Sequence, residues 1–181
     1  MSRGFVAVVP PDDVLDAVEA ALDGIELPDG ARRTERSKLH LTVRFLGNTV
    51  RFGAVEELLR GLDLRGGRAQ LGRAGAFSRP ERGDVLWVGV VQGADVLGAL
   101  HASVEAGYDP HRPSDERPPP FHPHLTVARC RAPVDLRWSV RAVGKRRVGP
   151  AWDVDEVVLV QSHLGNGPAV YEEQARIPLA R

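Results

Sequence analysis

Two stretches carry the same four letters: HLTVRFLG at 40–47 and FHPHLTVAR at 121–129, whose His-Leu-Thr-Val units stand 84 residues apart. In the first, Leu41 and Val43 alternate with His40, Thr42 and Arg44; in the second, Leu125 and Val127 alternate with His124 and Thr126. That is the period of a strand with one face in the core. It predicts strands over 39–46 and 121–130, each turning a histidine and a threonine, about 6.6 Å apart, toward one side.

The surroundings repeat as well. Ahead of the first motif, residues 5–9 form a short valine-rich run suited to a buried strand, ended by two prolines. Val14, Leu15, Val18, Ala21 and Leu22 then recur at helical spacing, with Asp12 or Asp13 placed to cap the start and Gly24 to end it. A second helix follows the motif through Val55, Leu58, Leu59 and Leu62. Ahead of the second motif, residues 85–91 repeat the valine-rich strand, and 94–106 repeat the helix with Val96, Leu97, Leu100 and Val104. Trp87 answers to about Phe5 or Val6, an offset close to that of the motifs, which points to an internal duplication. One domain over 1–181 is expected, with lobe-like halves of about 1–80 and 81–181 between which strands can be exchanged.

Residues 107–121, GYDPHRPSDERPPPF, are too rich in proline and charge to pack, and read as a mobile or extended surface loop, either a plain connector or a rim or lid over a neighbouring cleft. The chain closes on two expected strands, 155–162 and 169–177, with Gly165, Asn166 and Gly167 suited to the reversal between them.

Composition narrows the function. Lys plus Arg and Asp plus Glu both number 24, so the net charge is zero and no bulk attraction to duplex nucleic acid or an anionic membrane is expected. Only Lys38 and Lys145 are lysines; the other 22 basic residues are arginines, whose forked donors suit phosphate. A single cysteine, Cys130, excludes an internal disulfide and a cysteine-rich zinc site. The opening MSRGFVAVVPPDD has no long apolar region, so neither a signal peptide nor a membrane span is expected, and the compartment read from the sequence is cytoplasmic. No heptad or apolar stripe asks for a partner, which makes a monomer the expectation.

Facing each other across a groove, two histidines and two threonines suit a phosphate flanked by two proton carriers. Imidazole titrates near neutrality, so one ring can take a proton from water while the other gives one to a leaving oxygen. Threonine hydroxyls and an arginine would hold the non-bridging oxygens. A competing reading is a metal site, since His122 and His124 form a His-x-His pair that His40 could join. His101 on its helix, His111 in the proline loop and His163 at a turn read as solvated.

The two motifs resemble those of the 2H phosphoesterase superfamily, in particular its RNA 2′,3′-cyclic phosphodiesterases, also called 2′-5′ RNA ligases. RGFVAV at 3–8, VLWVGV at 85–90 and LVQSHLGNGPAVYEEQARIPL at 159–179 are similar to that family's opening, midpoint and closing strands, so the likeness spans the chain. His122 is the visible departure. The resemblance implies an α+β fold of two pseudo-symmetric lobes, with antiparallel sheets flanked by helices around a central cleft. It implies His40 and His124 as the catalytic pair, with Thr42, Thr126 and Arg129 on the phosphate and no cofactor or metal. Strict alternation, however, puts Arg129 on the face opposite His124, whereas Arg44 shares the parity of His40 and Thr42. Either arginine stays open as the phosphate ligand, with a bulge needed to turn Arg129 round.

The implied reaction opens a terminal 2′,3′-cyclic phosphate of RNA or a nucleotide to a 2′-phosphate, with 2′-5′ ligation as its reverse. Which histidine is acid and which is base stays open. Phe5, Phe45 and Phe121 are candidates to stack a terminal base. Two alternatives remain: another small phosphodiester, such as a 2′-5′ oligonucleotide or a cyclic phosphate by-product, and a nucleotide-binding module without turnover.

Overall fold

In the computed structural model the described residues are 2–48, 50–108, 120–163 and 168–181. Strands β1 (Ser2–Val8), β2 (Ala31–Arg33), β3 (Leu41–Asn48), β4 (Gly67–Phe77), β5 (Gly83–Gln92), β6 (His124–Val134), β7 (Arg147–Val154), β8 (Glu156–His163) and β9 (Val170–Pro178) join one curled sheet in the order β7-β4-β5-β6-β3-β1-β8-β9. Strand β2 pairs with β6 off that path, and the strand pairings are antiparallel. Four helices accompany the sheet: α1 (Asp12–Leu22), α2 (Phe52–Gly61), α3 (Ala94–Tyr108) and α4 (Arg137–Val143).

The sheet has two sections of four strands, β7-β4-β5-β6 and β3-β1-β8-β9, which meet at a single register pair, Leu41 opposite Leu125. Those leucines are the central residues of the two His-Leu-Thr units, so the joint brings both motifs together. Both are buried, 1% and 0% exposed. Full burial of a leucine contributes about 1.5–3 kcal/mol, and truncating either would also leave a cavity at the joint. The late strands split between the sections: β7 joins β4, while β8 and β9 extend β1.

The main core lies between the sheet and the helices, where Val6, Val8, Val43, Leu86, Val88 and Val127 meet Val14, Val18, Leu97, Leu100 and Val104. A smaller cluster, Phe5, Ala7, Val158 and Val160 against Tyr171, occupies the other face. Strand β1 is therefore apolar on both faces, which is why its sequence reads as a continuous valine-rich run rather than an alternation.

Several elements depart from the expectations. Pro11 takes the cap position of α1, and Asp12 and Asp13 sit in its first turn, where their charge favours the helix N-terminus. His40 immediately precedes β3, because Leu41 begins the ladder. Strands β2, β4 and β7 and helix α4 carry too little pattern to be read in advance. In β4, Gly75 is required by the Trp87 ring lying across it, since a Cβ there would come within 2.2 Å of that ring. In β7, Gly149 adopts φ +73°, with α1 packed so close that a Cβ would meet that of Ala17 at 3.1 Å. Most of the expected surface loop, at 109–119, and the reversal at Gly165, Asn166 and Gly167 lie outside the described residues.

Candidate active site

Each motif histidine is pinned in the same way. Nδ1 of His40 donates to the Lys38 carbonyl at 2.8 Å, and Nδ1 of His124 donates to the His122 carbonyl at 2.7 Å. A carbonyl only accepts, so the proton of each neutral ring sits on Nδ1 and Nε2 carries the lone pair. Nε2 of His40 accepts from the Thr42 hydroxyl at 3.0 Å. Among the described residues, the Thr126 hydroxyl and Nε2 of His124 have no such partner.

The rings differ in their surroundings. His40 stacks on Phe5 at 4.7 Å and meets Tyr171 edge-on at 5.6 Å. Burial pushes its pKa down to about 4, and the charges of Arg129 and His124 push the same way against the bond to Lys38. His124 stands edge-on to Phe77 at 4.6 Å, with the His122 ring 6.1 Å away. Its pKa is also lowered, by burial first and then by the charges of His122 and Arg129. Arg129 therefore acts on both imidazoles, holding them toward their neutral forms, and an anion bound beside it would offset that effect.

The position of Arg129 has a specific cause. Between β5 and β6 the register runs Leu86 opposite Ala128, then Trp87 opposite Thr126, leaving Val127 as an extra residue. This bulge buries Val127 and Ala128 in succession, each 1% exposed, and resets the alternation so that Arg129 follows Thr126 on the histidine face. The strict-alternation reading is thereby corrected. The same irregularity recurs in the first motif, where Val6 opposes Arg44 and Ala7 opposes Thr42, with Val43 extra. Past it, the position matching Arg129, 84 residues earlier, is Phe45, a ring left 62% exposed. Parity had favoured Arg44, but its guanidinium pairs with Glu105 on α3 and lies 5.6 Å from the Tyr108 ring centre.

Both bulges are held at their carbonyls. The Val43 carbonyl accepts from Nδ1 of His101 at 2.8 Å, and the Val127 carbonyl from the Thr34 amide at 2.9 Å. His101 is thus no solvated helix residue. It also stacks on Phe121 at 4.3 Å. Sequence reading missed it because nothing local marks a helical side chain that serves a carbonyl on a distant strand.

Two cavities flank the paired motifs. One, of about 400 Å³, is bordered by Thr42, Phe45, Phe77, Phe121, His122 and His124, and Arg44 also lines it. The other, of about 660 Å³, is bordered by Phe5, His40, Tyr171, Arg36 and Arg176 among others. Of the three phenylalanines singled out, Phe5 is buried against His40, Phe121 is half-buried against His101 at the cavity wall, and Phe45 is the most exposed. His163 pairs with Glu172 at 2.7 Å, and His111 lies outside the described residues. Among the described residues, no three His, Cys, Asp or Glu side chains are placed to share a metal ion, and no helix is long and apolar enough to cross a membrane.

Comparison with known proteins gives concordant results. The sequence model of the 2′-5′ RNA ligase superfamily matches residues 10–166. A protein of Aeropyrum pernix named RNA 2′,3′-cyclic phosphodiesterase is 32% identical over 151 residues, covering 78% of this chain and 82% of that one. One of the same name from Archaeoglobus fulgidus is 27% identical over 158 residues, covering 81% and 86%. Among solved structures, TT0787 of Thermus thermophilus superposes with a TM-score of 0.76 at 26% identity, covering 98% and 97% of the two chains. The apo form of E. coli LigT shares the fold with a TM-score of 0.76 at 23% identity, covering 99% and 98%.

Proposed function

The chain belongs to the 2′-5′ RNA ligase superfamily, and from that membership we propose that it hydrolyses the terminal 2′,3′-cyclic phosphate of RNA to a 2′-phosphate, using His40 and His124 as proton carriers. The names of the Aeropyrum and Archaeoglobus relatives support the substrate. The observation that carries the chemistry is the identical pinning of the two imidazoles through Nδ1, with Arg129 beside both.

His40 is packed between Phe5 and Tyr171 with its Nε2 already accepting from the Thr42 hydroxyl, which suits it to be the base; His124, whose Nε2 has no such bond among the described residues, is then the acid. Nε2 of His40 exchanges its bond with Thr42 for one with water and takes a proton as the water oxygen bonds to phosphorus. The bond from phosphorus to O3′ breaks opposite, and Nε2 of His124 gives its proton to that oxygen. One P–O bond forms and one breaks, and the two rings return to their starting states by exchanging protons with solvent. Thr42 and Thr126 hold the non-bridging oxygens, and Arg129 offsets the charge that grows on them. The bound phosphate raises both imidazole pKa values, so the acid is charged when it is needed. A 5′-hydroxyl in place of water gives a 2′-5′ bond, and water's abundance makes that the minor course. One copy of the chain, acting as a single domain over 1–181, suffices, because both rings and the arginine come from it.

Hydrolysis of 2′,3′-cyclic AMP and of a short RNA with a cyclic end, in EDTA, tests this reading with the product assigned by phosphorus NMR. A 2′-phosphate is expected from both substrates. A 3′-phosphate, or no turnover of either, contradicts it.

A further inference from the structure

We infer that the outer face of β2 and β6 is a second phosphate-binding subsite, in which Arg32 and Arg131 hold the backbone of single-stranded RNA upstream of the reacting end. This rests on the proposed function and extends it from the terminal phosphate to the body of the substrate.

The bulge at Val127 fixes the geometry. Beyond it Ala128 and Cys130 pack against the core, so Arg129 and Arg131 project from the opposite face, about 6.6 Å apart along the strand. On β2, Arg32 stands in register with Arg129. Directly opposed residues share a face, with their Cβ atoms about 4.5–5.5 Å apart. Strand β2 also supplies its own contrast, since the next residue, Arg33, turns to the helix side and bonds the carbonyls of Leu22 and Ile25 at 2.5 and 2.9 Å. Arg33 has a structural task, whereas the Arg32 side chain makes no hydrogen bond or ion pair among the described residues.

Arg36, Arg60, Arg65, Arg68, Arg137 and Arg176 are paired with carboxylates. Arg32, Arg129 and Arg131 are exposed and make no ion pair among the described residues. Arg73, Arg146 and Arg147, among other exposed arginines, also make no ion pair among the described residues, and this face is set apart by its unpaired arginines standing in register along the strand that carries His124. Like charges directly across a ladder are destabilising, so three unpaired guanidinium groups on one face of a chain with zero net charge mark a place prepared for an anion. The row begins at Arg129, whose charge reaches both motif imidazoles, and runs away from them. That continuity selects the backbone of the same RNA as its occupant. Across the cleft the matching position is the apolar Phe45, which offers a base-stacking face in place of a phosphate contact.

The test compares a long ligand with a short one. Binding of an RNA octamer ending in a 2′-phosphate, and of 2′-AMP alone, is measured at several salt concentrations for the unaltered protein, Arg32→Ala, Arg131→Ala and the double variant. Octamer affinity should fall about ten-fold in the double variant, with the slope of log K against log salt shallower by about 0.7 per arginine removed, while 2′-AMP affinity is unchanged. Arg32→Gln and thermal melts of each variant separate lost contacts from lost folding. An unchanged octamer affinity, or equal losses for octamer and 2′-AMP, overturns the subsite. Hydrolysis keeps the two readings apart: if the unaltered protein cleaves neither substrate, the proposed reaction fails, while the binding comparison still decides the subsite.

Discussion

Strands β3 and β6 are built to one plan and finished differently. Each presents a histidine whose Nδ1 donates to the carbonyl two residues earlier, each carries the threonine two residues on, and each has an extra valine directly after that threonine. Each bulge carbonyl is held from outside its strand, by His101 in one case and by Thr34 in the other. Past the bulge the strands diverge, with Arg44 against Ala128 on the core side and then Phe45 against Arg129 on the histidine face. The differences extend to the rings: His40 is packed between Phe5 and Tyr171 and bonded to Thr42, whereas among the described residues Nε2 of His124 has no hydrogen-bond partner. A repeated scaffold therefore delivers two imidazoles pinned alike, and the residues around them give the two rings unequal surroundings. That is what an acid and a base on opposite sides of one phosphate require.

The comparison can be broken most severely at the imidazoles. His40→Ala and His124→Ala should each lower kcat on 2′,3′-cyclic AMP by about 10²–10⁴-fold with the fold retained; a loss under ten-fold in either variant would show that its ring carries no proton. Next come the two unmatched positions on the histidine face. Arg129→Ala should lower kcat by about 10²-fold through lost charge stabilisation, while Phe45→Ala should raise KM with kcat nearly kept, by about the 1–3 kcal/mol of one base stack. Equal effects on kcat would mean that the two positions are as interchangeable as the scaffold around them.

The smallest effect is on stability. His40 titrates near 4 when folded and near 6.5 when unfolded, so below pH 6.5 the unfolded chain binds more protons and stability falls with pH until about 4, where the penalty is complete. Urea unfolding between pH 7 and 4 should show this slope, and His40→Ala should flatten it. An unchanged slope in that variant would place the titration elsewhere.

Much of this was legible in the sequence. The four shared letters and their 84-residue offset identified the two motif strands and the residues that meet in the cleft, while valine-rich runs identified β1 and β5 and helical spacing identified α1, α2 and α3. What failed was parity beyond the motifs. A bulge leaves no mark in a run such as HLTVAR, because Val127 and Ala128 are equally acceptable on either face, and the reset shows only in the pairing with β5. Strands β4 and β7 were hidden for another reason. Their glycines are demanded by neighbours, the Trp87 ring and helix α1, so the residues that argue against a strand locally are the ones that let these strands pack. The role of His101 was out of reach because its partner, the Val43 carbonyl, lies 58 residues away.

The unequal roles of the two rings are tested most directly with a 2′,3′-cyclic nucleotide bearing sulfur in place of the bridging 3′ oxygen. Thiolate leaves without a proton, so the analogue removes the need for an acid and keeps the need for a base. The account predicts that His124→Ala recovers most of its lost rate on this analogue, whereas His40→Ala stays as impaired as on the oxygen substrate. Recovery by His40→Ala instead, or by neither variant, would contradict the division of labour between β3 and β6.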